Sequence, residues 1–248
     1  MGLGYTLEMW HRTLPVVSKR YRSMLFDNRG VGRTGAPPGP FTIREMAGDT
    51  AAVLDAAGVD CAHVFGISMG GMIAQELALT YPSRVRSLIL GCTTCGGRAA
   101  APAAPRVLEV LAARATMPVE EGIRAMAPFI YDSSTPAERV EEDLAIRRRT
   151  YPSTESYNAQ LVAIRAFESC GRLSEITVPT LVVHGESDQL VPPENGVMLA
   201  QLIPGARLVL LPSASHIFPT DQPDAAHDAI LSFLQSMDQL PGHSGARA

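Results

Sequence analysis

The segment Gly66-Ile67-Ser68-Met69-Gly70-Gly71 sets a serine between two glycines, each two positions away. It follows an apolar run, His63 to Ile67, that reads as a buried strand, and it opens a stretch of helical period from about Met69 to Thr80. Glycine-rich turns are common, so the pattern alone means little. In a strand–turn–helix context it means more. A serine held on a sharp, strained turn projects its hydroxyl from the sheet end, and only small neighbours two positions away leave room for that turn. The positive end of the helix dipole lies beside it. The spacing marks Ser68 as a nucleophile.

A serine hydroxyl attacks poorly without a base, and the base needs a partner to orient it. Six histidines are available. His63 lies inside a strand and His184 ends one, directly before Gly185; both read as structural. His11 falls in the first helical segment, His227 in the last helix and His243 in the tail. His216 is different, because it sits in the loop Pro212-Ser-Ala-Ser-His216, just after the apolar run Arg207 to Leu211. Loops at the carboxyl ends of parallel strands form the reactive edge of an α/β sheet, so His216 is the expected base. The acid should follow another strand. Asp188 and Glu186 both follow Thr180 to His184; Asp188, deeper in the loop and just before Leu190-Val191-Pro192, is the choice.

These loops need a sheet to carry them. Short apolar runs at Ser23 to Phe26, His63 to Ile67, Ser87 to Leu90, Thr180 to His184 and Arg207 to Leu211 read as strands. Between them lie helical patterns: one from a Thr42-x-x-Glu45 capping box to Gly58, one over 69–80, one after Pro192-Pro193, and one from about Asp224 to Met237. Strand alternating with helix predicts a mostly parallel sheet with helices on both faces. From Arg98 to Arg172 the alternation stops. Four helical patterns, near 103–115, 119–130, 136–149 and 155–168, predict a helical cap over one end of the sheet. The third opens with Thr135-Pro136-x-Glu138, read as N-cap, Pro at N1 and Glu at N3. The expected division is a core of residues 1–97 and 171–248 with a cap over 98–170. Ala99 to Pro105 reads as a hinge, and Pro241 to Ala248 as a frayed tail.

Composition narrows the function. The chain has 248 residues, 46% of them apolar and 19% charged, which suits one large folded domain with an insertion. A net charge of −4 lacks the basic footprint of a nucleic-acid binder. Arg147, Arg148 and Arg149 follow acidic residues and read as the solvated face of a helix. Four cysteines, at 61, 92, 95 and 170, are too few for a disulfide scaffold, and Cys92-x-x-Cys95 lacks the partners of a zinc site; the expectation is buried thiols in a reducing compartment. No apolar stretch is long enough to span a bilayer, and the first residues do not read as a signal peptide. The expected location is cytoplasmic.

The chain order Ser68, Asp188, His216 is that of the α/β-hydrolases, and nearly the whole sequence resembles cofactor-free members of the esterase and enol-lactonase type. Asp27-Asn-Arg-Gly-Val-Gly-Arg-Thr34 is similar to the family's D-x-R-G-x-G-x-S turn, departing only at Thr34. Gly185-Glu-Ser-Asp188 is similar to its acid loop, and Ser215-His216 to its histidine loop. The oxyanion hole needs two backbone N–H groups. One comes from Met69, the residue after the nucleophile. The resemblance of Met1-Gly-Leu-Gly4 to the family's oxyanion loop implies Leu3 as the other. Met9 and Trp10, at the spacing of a packing aromatic in relatives, read as core. The family's third strand, central in its sheet, has no counterpart ahead of that loop. Of three explanations (a start upstream of Met1, closure of the flanking strands, or a strand from another chain), the first is the expectation.

The resemblance implies a serine hydrolase of a carboxylic ester or lactone that works through an acyl-enzyme, with no cofactor and no metal. Dehalogenases and epoxide hydrolases of this fold carry Asp at the nucleophile position, and Ser68 argues against them. C–C bond hydrolysis and perhydrolysis stay open on the same triad. An aminopeptidase stays open too; its amine site would draw on Glu120, Glu121, Glu141 or Glu142, which also read as ordinary helix charges. A receptor that binds without turnover is the alternative from another class. Expected partners are a small ester or lactone, no nucleic acid and no membrane, with a homodimer left open.

Overall fold

Leu88, Ile89 and Leu90 are consecutive and buried, and they face opposite sides of a sheet in turn. Leu88 and Leu90 pack with Ile43, Met46, Met72 and Leu77; Ile89 packs with Phe218, Ile230 and Phe233. Leu181, Val182 and Val183 repeat the alternation one strand further on. A strand apolar on both faces needs helices on both faces, which dictates the three-layer architecture.

The computed structural model describes residues 1–36, 39–113 and 117–239. A short 3₁₀ turn, Leu7–Trp10, precedes α1 (Leu14–Val17) and α2 (Ile43–Ala56). Then come β1 (Ala62–Ile67), α3 (Met69–Thr80) and β2 (Val85–Gly91). Four helices follow: α4 (Pro105–Ala113), α5 (Val119–Ile130), α6 (Ala137–Arg149) and α7 (Thr154–Ala166). The chain closes with β3 (Thr180–Gly185), α8 (Glu194–Leu202), β4 (Arg207–Leu211), α9 (Phe218–Asp221) and α10 (Pro223–Asp238). The strands form one parallel sheet in the order β1-β2-β3-β4. Ile67 pairs with Gly91, Gly91 with Val183, and Gly185 with Leu211, so the carboxyl ends of all four strands lie along one edge. α2 starts at the expected capping box: the Thr42 hydroxyl accepts from Glu45 N–H, and the Glu45 carboxylate accepts from Thr42 N–H.

Several expectations need correction. Ser23–Phe26 is not a strand; among the described residues it joins no ladder, and it does not close onto β1. An extended segment becomes a strand only when a partner backbone lies within about 5 Å, and the sequence cannot supply that neighbour locally. β1 is instead flanked by side chains, with Trp10 tilted on Phe65 at 4.8 Å and Tyr21 edge-on to His63 at 6.2 Å. Met9 is buried as expected, whereas Trp10 is only partly so. Thr135 does not cap α6. Pro136 takes that position, and the Thr135 hydroxyl donates to Asp221 at 2.6 Å, a tertiary bond that outcompetes the local cap.

The cysteines are not all thiols. Cys95 and Cys170 form a disulfide, while Cys61 and Cys92 are free. The bridge ties the segment entering the helical insertion to the one leaving it. Gly96 pairs antiparallel with Glu168, and Ser169 N–H donates to the Cys95 carbonyl at 2.8 Å. The insertion packs its own apolar cluster, Val107, Ile123, Met126, Phe129, Ile130 and Leu144, against Met9 and Ile217 of the sheet-bearing part. Arg147 is not solvated but 3% exposed, whereas Arg148 and Arg149 pair with Glu120, Glu141 and Glu8. The expected frayed tail, His243 within it, and the end of the first insertion helix at 114–115 lie outside the described residues. No helix among the described residues is long and apolar enough to cross a membrane.

Candidate active site

Ser68 stands between β1 and α3 with φ 58° and ψ −122°, a backbone conformation that non-glycine residues rarely adopt and that costs about 1–3 kcal/mol. Hydrogen bonds to its backbone hold it there. Its N–H donates to the Gly91 carbonyl at 2.8 Å, and its own carbonyl accepts from the Thr93 hydroxyl at 2.7 Å and from Gly71 N–H at 2.8 Å. The turn has no room for a side chain at Gly66 and little at Gly70. A Cβ at Gly66 would come within 2.0 Å of the Gly70 carbonyl oxygen, and one at Gly70 within 3.0 Å of the Met1 carbonyl oxygen. The spacing of small residues thus has a steric cause.

Asp188 and His216 meet across the ends of β3 and β4. Asp188 Oδ2 lies 2.7 Å from His216 Nδ1, and both residues are buried. Asp188 Oδ1 accepts from the N–H groups of Leu190 and Val191, each at 2.9 Å, which fixes the carboxylate's rotation. Burial alone would raise the Asp188 pKa; His216 and His184 outweigh it and bring the group down to about 2. His184 Nε2 sits 3.5 Å from Asp188 Oδ2 and 2.7 Å from the Val191 carbonyl oxygen, so this histidine braces the acid loop. Glu186, the other candidate acid, is exposed. His63 bonds to the Ser87 hydroxyl at 2.7 Å within the sheet, and His11 Nε2 lies 2.8 Å from Asp143.

Two supporting residues escaped the sequence reading. Cys92, just past β2, has φ 41°, and its sulfur lies within 4.8 Å of the Asp188 and His216 ligand atoms. Burial, then the Asp188 charge, push this thiol well above its usual range, so it stays protonated. Because Ser68 N–H bonds to Gly91 and Cys92 lies beneath the Asp188–His216 pair, the end of β2 connects all three loops. Asp221 accepts Ser215 N–H at 2.7 Å and so fixes the backbone beside His216; burial raises its pKa to about 6. Isolated polar residues in loops carry no periodic signal that would reveal either role.

Met69 and Leu3 occupy different settings. Met69 is the first residue of α3 and fully buried. Leu3 sits in a turn closed by Tyr5 N–H donating to the Gly2 carbonyl at 3.1 Å, with Gly4 at φ 66°. The turn runs close to the serine: a Cβ at Gly2 would lie 3.4 Å from Ser68 Oγ. Three of the four helix charges weighed as an amine site are engaged elsewhere, Glu120 and Glu141 with Arg124 and Arg148, and Glu142 with Arg12, while Glu121 is exposed.

Comparison with known proteins agrees with this architecture. The model of the alpha/beta hydrolase fold matches residues 2–223. A protein of Azorhizobium caulinodans named "Putative carbamate hydrolase RutD" is 36% identical over 243 residues, covering 96% of this chain and 90% of that protein. The 3-oxoadipate enol-lactonase 2 of Acinetobacter baylyi is 30% identical over 246 residues, covering 94% and 86%. The crystal structure of the enol-lactonase from Burkholderia xenovorans superposes with a TM-score of 0.82 at 31% identity, covering 94% of this chain and 88% of that one. The chain is a hydrolase of the α/β-hydrolase family.

Proposed function

We propose that this hydrolase cleaves a carboxylic ester or lactone through an acyl-enzyme on Ser68. The reading rests on the 2.7 Å contact between Asp188 and His216, held at the same sheet edge as the strained Ser68 turn. His216 Nε2 removes the Ser68 proton as Oγ attacks the carbonyl carbon, then gives that proton to the leaving alkoxide. Water, activated by the same nitrogen, releases the acid. Asp188 holds the imidazole with its proton on Nδ1, and the negative oxygen of each tetrahedral intermediate is received by the N–H groups of Leu3 and Met69. Residues 98–170 act as the cap, whose apolar cluster reaches Ile217, directly after His216.

The enol-lactonases among the relatives support an ester or lactone substrate. The 36% identity to the relative named for carbamate hydrolysis favours a second reading, in which the same triad opens a carbamate. Steady-state turnover on a panel of p-nitrophenyl esters, lactones and carbamates tests both. Turnover of esters or lactones with kcat/KM at least tenfold above the carbamates supports the first reading; the reverse ratio supports the second. Single-turnover binding without steady-state catalysis would replace both with a receptor.

A cytoplasmic location belongs to the same proposal and rests on sparse cysteines. The Cys95–Cys170 bridge supplies its test. Alkylation during rapid denaturing lysis of the source cells labels both cysteines if the compartment is reducing, and neither if it is not.

A further inference from the structure

The turn expected to carry the second oxyanion donor is held from the cap. Gly4 N–H donates to Gln160 Oε1 at 2.7 Å, and the Gly4 carbonyl accepts from Arg147 Nη1. Gln160 is on α7 and Arg147 on α6, and both are almost wholly buried. Each is itself fixed. Gln160 Nε2 donates to the Arg29 carbonyl at 2.9 Å, so one amide bridges the Leu3 turn and the Asp27–Thr34 turn. The Arg147 guanidinium lies between two aromatic faces, 4.1 Å from the Tyr5 ring centre and 4.6 Å from that of Tyr151. The fit leaves no slack, since a Cβ on Gly4 would come within 2.9 Å of Arg147 Nη2 and 3.1 Å of Tyr157.

We infer that Gln160 and Arg147 are positioning residues for the oxyanion hole: by gripping the N–H and carbonyl of Gly4, the cap fixes the direction of the Leu3 N–H beside Ser68. Leu3 lies between Gly2, which packs against Ser68, and Gly4, which the cap holds. The Leu3 N–H shares a peptide plane with the Gly2 carbonyl, which accepts from Tyr5 N–H at 3.1 Å, and Tyr5 N–H shares its own plane with the Gly4 carbonyl that Arg147 holds, so the grip of the cap is relayed to the donor and keeps it aimed without reorganisation. That preorganisation is what makes a hole donor effective. Seating the cap and ordering the hole are then coupled through Gly4.

The inference rests on the serine-hydrolase reading, and its test separates the two. Gln160→Met removes both the acceptor for Gly4 and the donor to Arg29; Gln160→Glu keeps the acceptor; Arg147→Lys keeps the charge with a shorter, single-point donor. On a p-nitrophenyl ester the expected results are kcat reduced about 10²-fold in Gln160→Met and about tenfold in Arg147→Lys, with KM within threefold of wild type. Gln160→Glu should recover most of the loss. Affinity for phenylboronic acid, which forms a tetrahedral anion on the serine, should fall by the same factor as kcat, while affinity for neutral benzyl alcohol should not. A general loosening would weaken both ligands alike and raise KM. Should Gln160→Met fail to fold, Arg147→Lys decides. Unchanged kcat in the folded variants, with Ser68→Ala inactive, overturns the positioning role alone. Full activity in Ser68→Ala overturns the hydrolase reading beneath it.

Discussion

Asp188 Oδ2 and His216 Nδ1 lie 2.7 Å apart although 28 residues separate them in the chain. The contact exists because Gly185 and Leu211 are register partners at the ends of adjacent parallel strands. Loops leaving those two ends must start side by side, and the two backbone donors on Asp188 Oδ1 aim the other oxygen at the imidazole.

Replacing Asp188 by Asn keeps the shape and the Leu190 and Val191 bonds but no longer fixes the imidazole tautomer. The expected loss is about 10⁴-fold in kcat with the fold intact. Glu186→Gln, at an exposed position, should stay within twofold of wild type. Steady-state rates with circular dichroism as the folding control check both; a severe Glu186 variant beside a mild Asp188 variant would reassign the acid.

Gly66→Ala should unfold or severely destabilise the chain, by about 4 kcal/mol or more, because its Cβ would strike backbone rather than a movable side chain. Gly58, at φ 63° with open space around it, should cost far less on the same substitution, about 1 kcal/mol. Urea unfolding of the two variants measures the difference. Equal midpoints would mean that the Ser68 turn is not sterically closed.

The Cys95–Cys170 bridge closes a loop of 75 residues that contains the whole helical insertion. Loop-closure entropy for a loop of that length puts its contribution at about 4–5 kcal/mol. Cys170→Ser should lower the unfolding free energy by that amount, and reduction of the wild type with dithiothreitol should bring the two proteins together. A difference that persists after reduction would point to packing of the Cys170 side chain instead.

Asp221 sets a pH dependence of definite sign. Its folded carboxyl is raised by burial to about 6 from an ordinary value of 3.8, so the folded state keeps a proton that the unfolded chain releases. Stability should therefore fall as pH rises from about 4 through 6, by about 2–3 kcal/mol, and level off above. Asp188 acts in the opposite sense: its stabilisation is present above pH 4 and lost as pH falls through 2. Tm measured against pH for wild type and Asp221→Asn should show the fall between pH 4 and 6 only in the wild type. Identical slopes would remove Asp221 as the cause.

Much of this was legible because it is local. The strand before Ser68, the glycines around it and the helix after it occupy one continuous stretch, and α2 announces its start with the Thr42–Glu45 box. What was not legible depends on distant neighbours. Ser23–Phe26 has strand-like composition but joins no ladder among the described residues, and Cys95 meets a cysteine 75 positions away. Thr135 looks like a cap until Asp221 takes its hydroxyl. Arg147 had a weak signal that its charge concealed: it continues the inward stripe of Val140 and Leu144 at helical spacing, where burial requires the partners that Gly4, Tyr5 and Tyr151 supply.

The acyl-enzyme is the central claim, and intact-protein mass spectrometry tests it directly. A fluorophosphonate probe incubated with wild type and with Ser68→Ala should add one adduct to the wild type, located by peptide mapping to Ser68, and none to the variant. An adduct on Ser68→Ala, or on another residue of the wild type, would contradict the account.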